Sequence, residues 1–235
     1  MRQTLFLLPA ALVLCLAVCK EEPDLPPDPH VPLVNTFIGV WKTDTQYWQF
    51  KTDGTGGRAV TQAGPFSNDF SFFVYAGQDV QTAPSQGSLV ILEGSPVVVT
   101  RYEFSIANNQ ATLTGGSPVT LERVNGSPQT LSLTNSLIGE WSADWTGSEH
   151  GLTWSLKYRA DGTLKVFHHL AGHQFENAYA LRGNTLVILG EKRFANVVIA
   201  ELNQQGNGAW QVTETQSNPT PADWTYTKVA VAEWL

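Results

Sequence analysis

The sequence predicts an all-β protein built from two tandem copies of one antiparallel unit. The string LVNTFIGVWK (33–42) returns one hundred residues later as LTNSLIGEWS (133–142), with five of the ten positions identical. Short runs with apolar residues at alternate positions fill both halves, and Gly, Asn and Pro separate them about every 8–12 residues. Such spacing is typical of a barrel or sandwich, with roughly eight strands in each copy.

The composition excludes several classes of protein. The chain has 235 residues, of which 15% are charged and 11% aromatic, including eight Trp, so it can bury a sizeable core. The formal net charge of −7 argues against nucleic-acid binding, which needs a basic face, and against electrostatic docking on anionic lipid. No helical periodicity of useful length follows the N-terminal segment.

The first eighteen residues have the features of a secretory signal peptide, because one basic residue precedes a short apolar run. The run ends in LAVC, which resembles a bacterial lipobox. In lipoproteins of that kind the cysteine, here Cys19, is diacylated and becomes the new N-terminus. Val18 replaces the usual Gly, Ala or Ser, as happens in spirochaete lipoproteins. The resemblance implies an exported protein anchored to the bacterial cell envelope, facing the periplasm or the cell surface. The alternative is a plain signal peptide in which Cys15 and Cys19 have no role.

Residues 19–32 are rich in Pro and acidic residues and contain little that could pack, so we expect a tether that holds the folded part away from a membrane. We expect the first repeat over 33–126 and the second over 133–230. Cleavage before Cys19 would leave no disulfide, so stability must come from apolar burial and sheet hydrogen bonds.

A second shared mark is an Asp-Gly pair, in FKTDGT (50–55) and YRADGT (158–163). Asp-Gly between strand-like runs is a strong hairpin signal. The two copies end on VTLERV (119–124) and WTYTKV (224–229), which places a basic residue, Arg123 or Lys228, near the end of each last strand.

The Gly-x-Trp strings ending at Trp41 and Trp141, together with Arg123 and Lys228, resemble the lipocalin-like domains of bacterial lipoproteins. These belong to the wider calycin-type group of lipocalins, avidins and fatty-acid-binding proteins. The resemblance implies two small up-and-down antiparallel barrels. Each Trp would plug the closed end of its barrel and the basic side chain would cross it, a cation–π contact that contributes about 0.5–2 kcal/mol.

Alternation along the strands of the second copy predicts an inward-facing set of aromatic and polar side chains: Trp154, Tyr158, His168, Phe175, Asn177 and Tyr179. Aromatic walls with a few polar groups are typical of a small-molecule pocket, so we expect a hydrophobic, lipid-like or haem-like ligand. The alternative is a fully packed core in which His168 finds its partner inside the protein, because small eight-stranded barrels are barely wide enough for a ligand.

His169 and His173 have the spacing of the two ligands in a zinc-protease helix, but Leu170 stands in place of the catalytic Glu and the surrounding periodicity is that of a hairpin. Across a hairpin, His169 could face His173 or Gln174 and form a weak zinc or copper site; the alternative is a polar rim. The sequence carries no phosphate-binding loop, nucleophile elbow or Cys-x-x-Cys pair. We therefore expect neither an enzyme nor a cofactor.

Two runs of the first copy, FSFFVYAG (70–77) and GSLVILEG (87–94), are apolar on both faces. A barrel wall of that kind needs an outer cover. We expect the second barrel to supply it, and a partner protein is the alternative. The latter would suit a second function: an envelope interaction module with solid barrels and no ligand cavity.

Overall fold

The computed structural model describes residues 34–76, 83–116, 118–146, 153–169, 172–190, 197–216 and 223–229. Every helix or strand in those ranges is a β-strand, which confirms the predicted all-β class. The signal peptide, Cys19 and the tether lie outside the described residues, as do residues 77–82 of the first repeat. Within the described part, no helix is long and apolar enough to cross a membrane.

The first repeat forms a closed barrel of eight antiparallel strands, β2–β9, preceded by a short strand β1. The strands are β1 Val34–Asn35, β2 Gly39–Lys42, β3 Tyr47–Phe50, β4 Thr55–Ala59, β5 Phe70–Tyr75, β6 Gln86–Glu93, β7 Val98–Ala107, β8 Gln110–Thr114 and β9 Val119–Asn125.

In the connector, β10 pairs antiparallel with β1 as a separate two-stranded sheet, and the second repeat then forms a closed barrel of β11–β18. The strands are β10 Gln129–Thr130, β11 Gly139–Thr146, β12 Thr153–Tyr158, β13 Thr163–His168, β14 His173–Arg182, β15 Thr185–Gly190, β16 Val198–Gln204, β17 Trp210–Gln216 and β18 Asp223–Val229. In both barrels each strand pairs with the next and the last pairs with the first. The prediction of two tandem up-and-down barrels is confirmed.

The repeated string builds the same local structure in both copies. The Oδ1 atom of Asn35 accepts a hydrogen bond from the backbone N–H of Phe37 at 2.9 Å, and the indole N–H of Trp41 donates to the carbonyl of Phe37 at 2.7 Å. Asn135 and Trp141 make the same two contacts in the second copy, at 3.0 and 2.7 Å. The buried indole N–H is therefore satisfied locally, so each Trp can be buried at the base of its barrel.

The connector between the barrels touches both Asp-Gly hairpins. The backbone N–H of Ser132 donates to the carbonyl of Thr52 at 2.6 Å, and the N–H of Leu133 donates to the carbonyl of Ala160 at 2.5 Å. The Leu133 side chain packs against the cores of both barrels. These contacts join the closed ends of the barrels.

The barrels also pack directly against each other, through the outer faces of β5 and β6 in the first and of β14 and β15 in the second. The buried side chains of this interface are Phe73, Val90, Leu92, Ala178, Ala180, Val187 and Leu189. Since β14 and β15 occupy the same places in their barrel as β5 and β6, the interface pairs equivalent surfaces, as in a two-fold dimer. The prediction that the second barrel covers the two-faced strands is confirmed, and the double-faced strands no longer call for a partner protein.

Candidate binding pocket in the second barrel

The closed ends of the two barrels differ in how tightly they are sealed. In the first, the guanidinium of Arg123 lies 4.1 Å from the centre of the Trp41 ring. It donates to the backbone carbonyls of Thr36 and Ile38, the latter at 3.0 Å. Partial burial lowers the pKa of Arg123. In the second, the ammonium of Lys228 lies 5.5 Å from the centre of the Trp141 ring.

Arg58 occupies the interior of the first barrel near its mouth. The guanidinium of Arg58 lies 4.6 Å from the ring centre of Trp48 and 5.1 Å from that of Phe70. The same group pairs with Glu93 at 2.8 Å and with Asp69 at 3.6 Å. A charged group can stay beneath the rim because two carboxylates compensate it.

Strand register identifies the equivalent positions of the second barrel. Trp41 pairs with Trp48, whereas Trp141 pairs with Leu156. The strand pairings that follow extend this equivalence around both barrels. The equivalent interior pairs are Trp48 and Leu156, Arg58 and Val166, Phe70 and Asn177, Glu93 and Gly190, and Tyr102 and Ala200. At all five positions the second barrel has the smaller side chain. At the interior positions of Gly56, Ala111 and Leu121 the change is in the other direction, to Leu164, Trp210 and Tyr226. Large side chains are therefore redistributed between the two interiors.

A pocket lies inside the second barrel where these side chains are reduced. Its described lining residues are Ala143, Trp154, Leu156, Leu186, Ile188, Val198, Ala200, Val212, Glu214 and Tyr226. Leu156 and Ala200 stand where the first barrel has Trp48 and Tyr102, so the loss of two large rings helps to create it. The volume open to the centre of a water-sized molecule is about 20 Å³, room for about one water.

Glu214 is the only described lining residue with a charged side chain, and it is only 7% exposed. Sequence reasoning missed it. The signal was the inward alternation of Trp210, Val212 and Glu214 on β17, in which a carboxylate takes the place of a third apolar residue. Tyr226, on β18, also lines the pocket and was not predicted.

Of the six predicted pocket residues, Trp154 lines this pocket. Tyr158 and Tyr179 pack edge to face with ring centres 4.8 Å apart, and the Tyr179 hydroxyl donates to the carbonyl of Arg159 at 2.8 Å. Burial raises the pKa of Tyr179 to about 12 and that of Tyr158 well above its ordinary value. Both tyrosines are parts of the packed core.

The remaining three predicted residues surround Trp154 or lie deeper in the barrel. The ring of His168 is 4.5 Å from that of Trp154, and the ring of Phe175 is 6.1 Å away and edge-on. Asn177 is 2% exposed and faces the interior between Phe175 and Tyr179 on β14.

The histidine pair differs from the hypothesis of a shared metal site. The register pairs His173 with His168 rather than with His169, and it pairs Gln174 with Phe167. The Nε2 atom of His169 lies 2.8 Å from the hydroxyl of Ser155. Among the residues that the structure describes, no three His, Cys, Asp or Glu side chains are grouped to hold a metal.

No protein-family model matches the chain, and neither a curated protein nor a solved structure matches it. A function is therefore inferred below from the geometry of the barrels.

Proposed function

We propose that the second barrel binds a small, largely apolar ligand, while the first barrel is a filled structural domain. The observation that carries this proposal is the reduction of five interior side chains between equivalent positions, with an apolar pocket at two of them. Larger residues elsewhere in the second barrel, Leu164, Trp210 and Tyr226, fill part of the space, and the pocket is what they leave open. The proposed activity is binding, without a chemical step.

The size of the pocket limits the ligand. Pockets for drug-sized molecules measure about 300–1,000 Å³, and this one holds about one water before any side chain moves. A slender, lipid-like chain that displaces side chains along the barrel axis fits better than a haem-sized ring. Trp154 and Tyr226 supply flat apolar walls for such a chain.

The experiment compares the wild type with Ala200→Tyr, which places in the pocket the tyrosine that the first barrel has at the equivalent position, Tyr102. Native mass spectrometry of the detergent-free protein, and organic extraction followed by lipid analysis, should reveal a co-purified apolar molecule. Ala200→Tyr should remove it while the protein remains folded. Asn203→Ser, which copies Ser105 of the first barrel at an exposed position of the same strand, is the matched control. A wild-type protein with no bound molecule and no response of Trp fluorescence to alkyl probes would refute the proposal.

The small volume of the pocket favours a second candidate, an interaction module with two solid barrels. In that case alkyl probes bind neither the wild type nor Ala200→Tyr, and pull-down from an envelope extract recovers the same protein partner with both. Ligand loss on Ala200→Tyr supports the binding function instead.

We also propose that the protein is exported and anchored by lipid at Cys19 to a bacterial envelope, as in the spirochaete lipoproteins that the N-terminal string resembles. The support is the apolar run that ends at Cys19 and the Pro-rich acidic segment after it. Metabolic labelling with palmitate should mark the wild type and not Cys19→Ser. Equal labelling of both would leave the plain signal peptide as the explanation.

A further inference from the structure

Asn177 places a carboxamide inside the second barrel without a hydrogen-bond partner among the described residues. Both its Oδ1 and its Nδ2 atoms are buried and unpaired. Its neighbours on the same face of β14 are Phe175 and Tyr179, both in the core. A buried amide that has lost its bonds to water and gained none destabilises the empty protein. Its presence in the core therefore needs an explanation other than stability.

The partner position on the next strand is shaped to admit this carboxamide. Asn177 pairs with Gly190, and a Cβ atom on Gly190 would lie only 1.6 Å from the Oδ1 of Asn177. In the first barrel the equivalent pair is Phe70 and Glu93. Phe70 is a core residue, and the carboxylate of Glu93 pairs with Arg58. The second barrel thus has an unpaired amide packed over a glycine, where the first has a core ring and a carboxylate compensated by Arg58.

The amide and the apolar pocket lie on the same inner wall. Ile188, two residues before Gly190 on β15, lines the pocket and pairs with Tyr179. A molecule with its tail in the pocket would bring a head group to Asn177 along the inward face of β15 only by displacing the buried side chains of Ile188 and Tyr179. This step rests on the proposed binding function.

We propose that Asn177 is the head-group site of the second barrel and that its ligand is a slender primary carboxamide. A primary amide donates an N–H to Oδ1 and accepts an N–H from Nδ2, so one group satisfies both orphaned atoms. An alcohol or an amine satisfies them less completely. A fatty-acid carboxylate accepts an N–H from Nδ2 but has no proton to donate to Oδ1, so it leaves one of the two atoms unpaired.

The test compares three eight-carbon probes, n-octanamide, n-octanoate and n-octylamine, by calorimetric titration of the detergent-free full-length protein. Octanamide should bind at least tenfold more tightly than octanoate. Asn177→Leu, which keeps the number and branching of the side-chain heavy atoms and removes the polar ones, should weaken octanamide binding at least tenfold. It should also raise the Tm of the empty protein by about 2–8 °C, since it removes an unpaired buried group. Asn203→Ser should change neither value.

A second readout is the side-chain amide signal of Asn177 in a ¹H–¹⁵N spectrum, assigned by its loss in Asn177→Leu. Octanamide should shift this signal and octanoate should not.

Three results would overturn the inference. Equal octanamide affinity in the wild type and Asn177→Leu would show that the head group lies elsewhere, and the proposed binding function would stand. A lower Tm for Asn177→Leu would show that the amide has a structural partner, such as a buried water. Tightest binding by octylamine, lost in Glu214→Gln and kept in Asn177→Leu, would assign the head group to Glu214. If no probe binds the wild type, the binding function fails together with this inference.

Discussion

Replacing Arg123 by Met should destabilise the protein much more than replacing Lys228 by Met, although the two residues are equivalent. Arg123 lies 4.1 Å from the centre of the Trp41 ring and donates to two buried backbone carbonyls. The ring contact contributes about 0.5–2 kcal/mol when partly shielded, and a carbonyl that loses a charged donor costs about 1–3 kcal/mol. Part of this is offset because the guanidinium no longer has to be desolvated. We therefore expect R123M to lower the free energy of unfolding by about 2–4 kcal/mol.

Lys228 is exposed, and its ammonium is 5.5 Å from the centre of the Trp141 ring, so K228M should cost about 0.5–1 kcal/mol. Urea unfolding followed by Trp fluorescence measures both values. In thermal scans about 2–4 °C corresponds to each kcal/mol for a protein of this size, so R123M should lower the Tm by roughly 5–12 °C. K42M, which removes an exposed cation from β2, is the control and should change stability by less than about 0.5 kcal/mol. Equal losses for R123M and K228M, or a larger loss for K228M, would refute the reasoning.

The glycines of the two Gly-x-Trp strings should also differ in their effect on the free energy of unfolding. G39A should lower it by at least about 3 kcal/mol, because the new Cβ would lie 2.2 Å from the carbonyl oxygen of Asn125. G139A should lower it by about 1–2 kcal/mol, for its positive φ alone. Comparable denaturation midpoints for the two variants would contradict this. Stability should fall as the pH rises from about 10 to about 12, since the unfolded state then releases the Tyr179 proton more readily than the native state. Y179F should reduce this slope, leaving the part due to Tyr158, whose pKa is also raised, and an unchanged slope would exclude Tyr179 as a cause. F73A should cost about 3–5 kcal/mol, because the ring is 1% exposed in the interface between the barrels; a loss below about 1 kcal/mol would show that this interface contributes little.

The architecture could be predicted because its signals are local. The side chain of Asn35 bonds to a backbone group two residues away, and the Trp41 indole bonds to a carbonyl four residues away. The Asp-Gly hairpins are held in the same way, with the carboxylate of Asp53 accepting from the backbone N–H and the hydroxyl of Thr55. Contacts of this range are encoded within a few letters of sequence, so a repeated string predicts a repeated structure.

The pocket was harder to predict, because alternation gives the face of a residue but not its height in the barrel. Tyr158 and Tyr179 face inward as predicted, yet they pack together as part of the core rather than lining the pocket. The height depends on strand tilt and stagger, which are properties of the closed sheet. The prediction that His169 faces His173 was wrong because the sequence does not fix the strand register. The register places His168 opposite His173, one residue away from the predicted pairing.

The proposed function divides stability and binding between the two barrels. The first keeps Trp48, Arg58 and Phe70 in its interior, whereas the second lacks them and carries the unpaired amide of Asn177. A separate second barrel would have to tolerate that loss alone. Here the self-complementary interface and the Leu133 contacts connect its core to the filled barrel, so part of the cost is offset by contacts that a ligand never touches. On the proposed function, duplication followed by divergence of the interior lets one barrel give up part of its packing while the interface of equivalent strands continues to stabilise it.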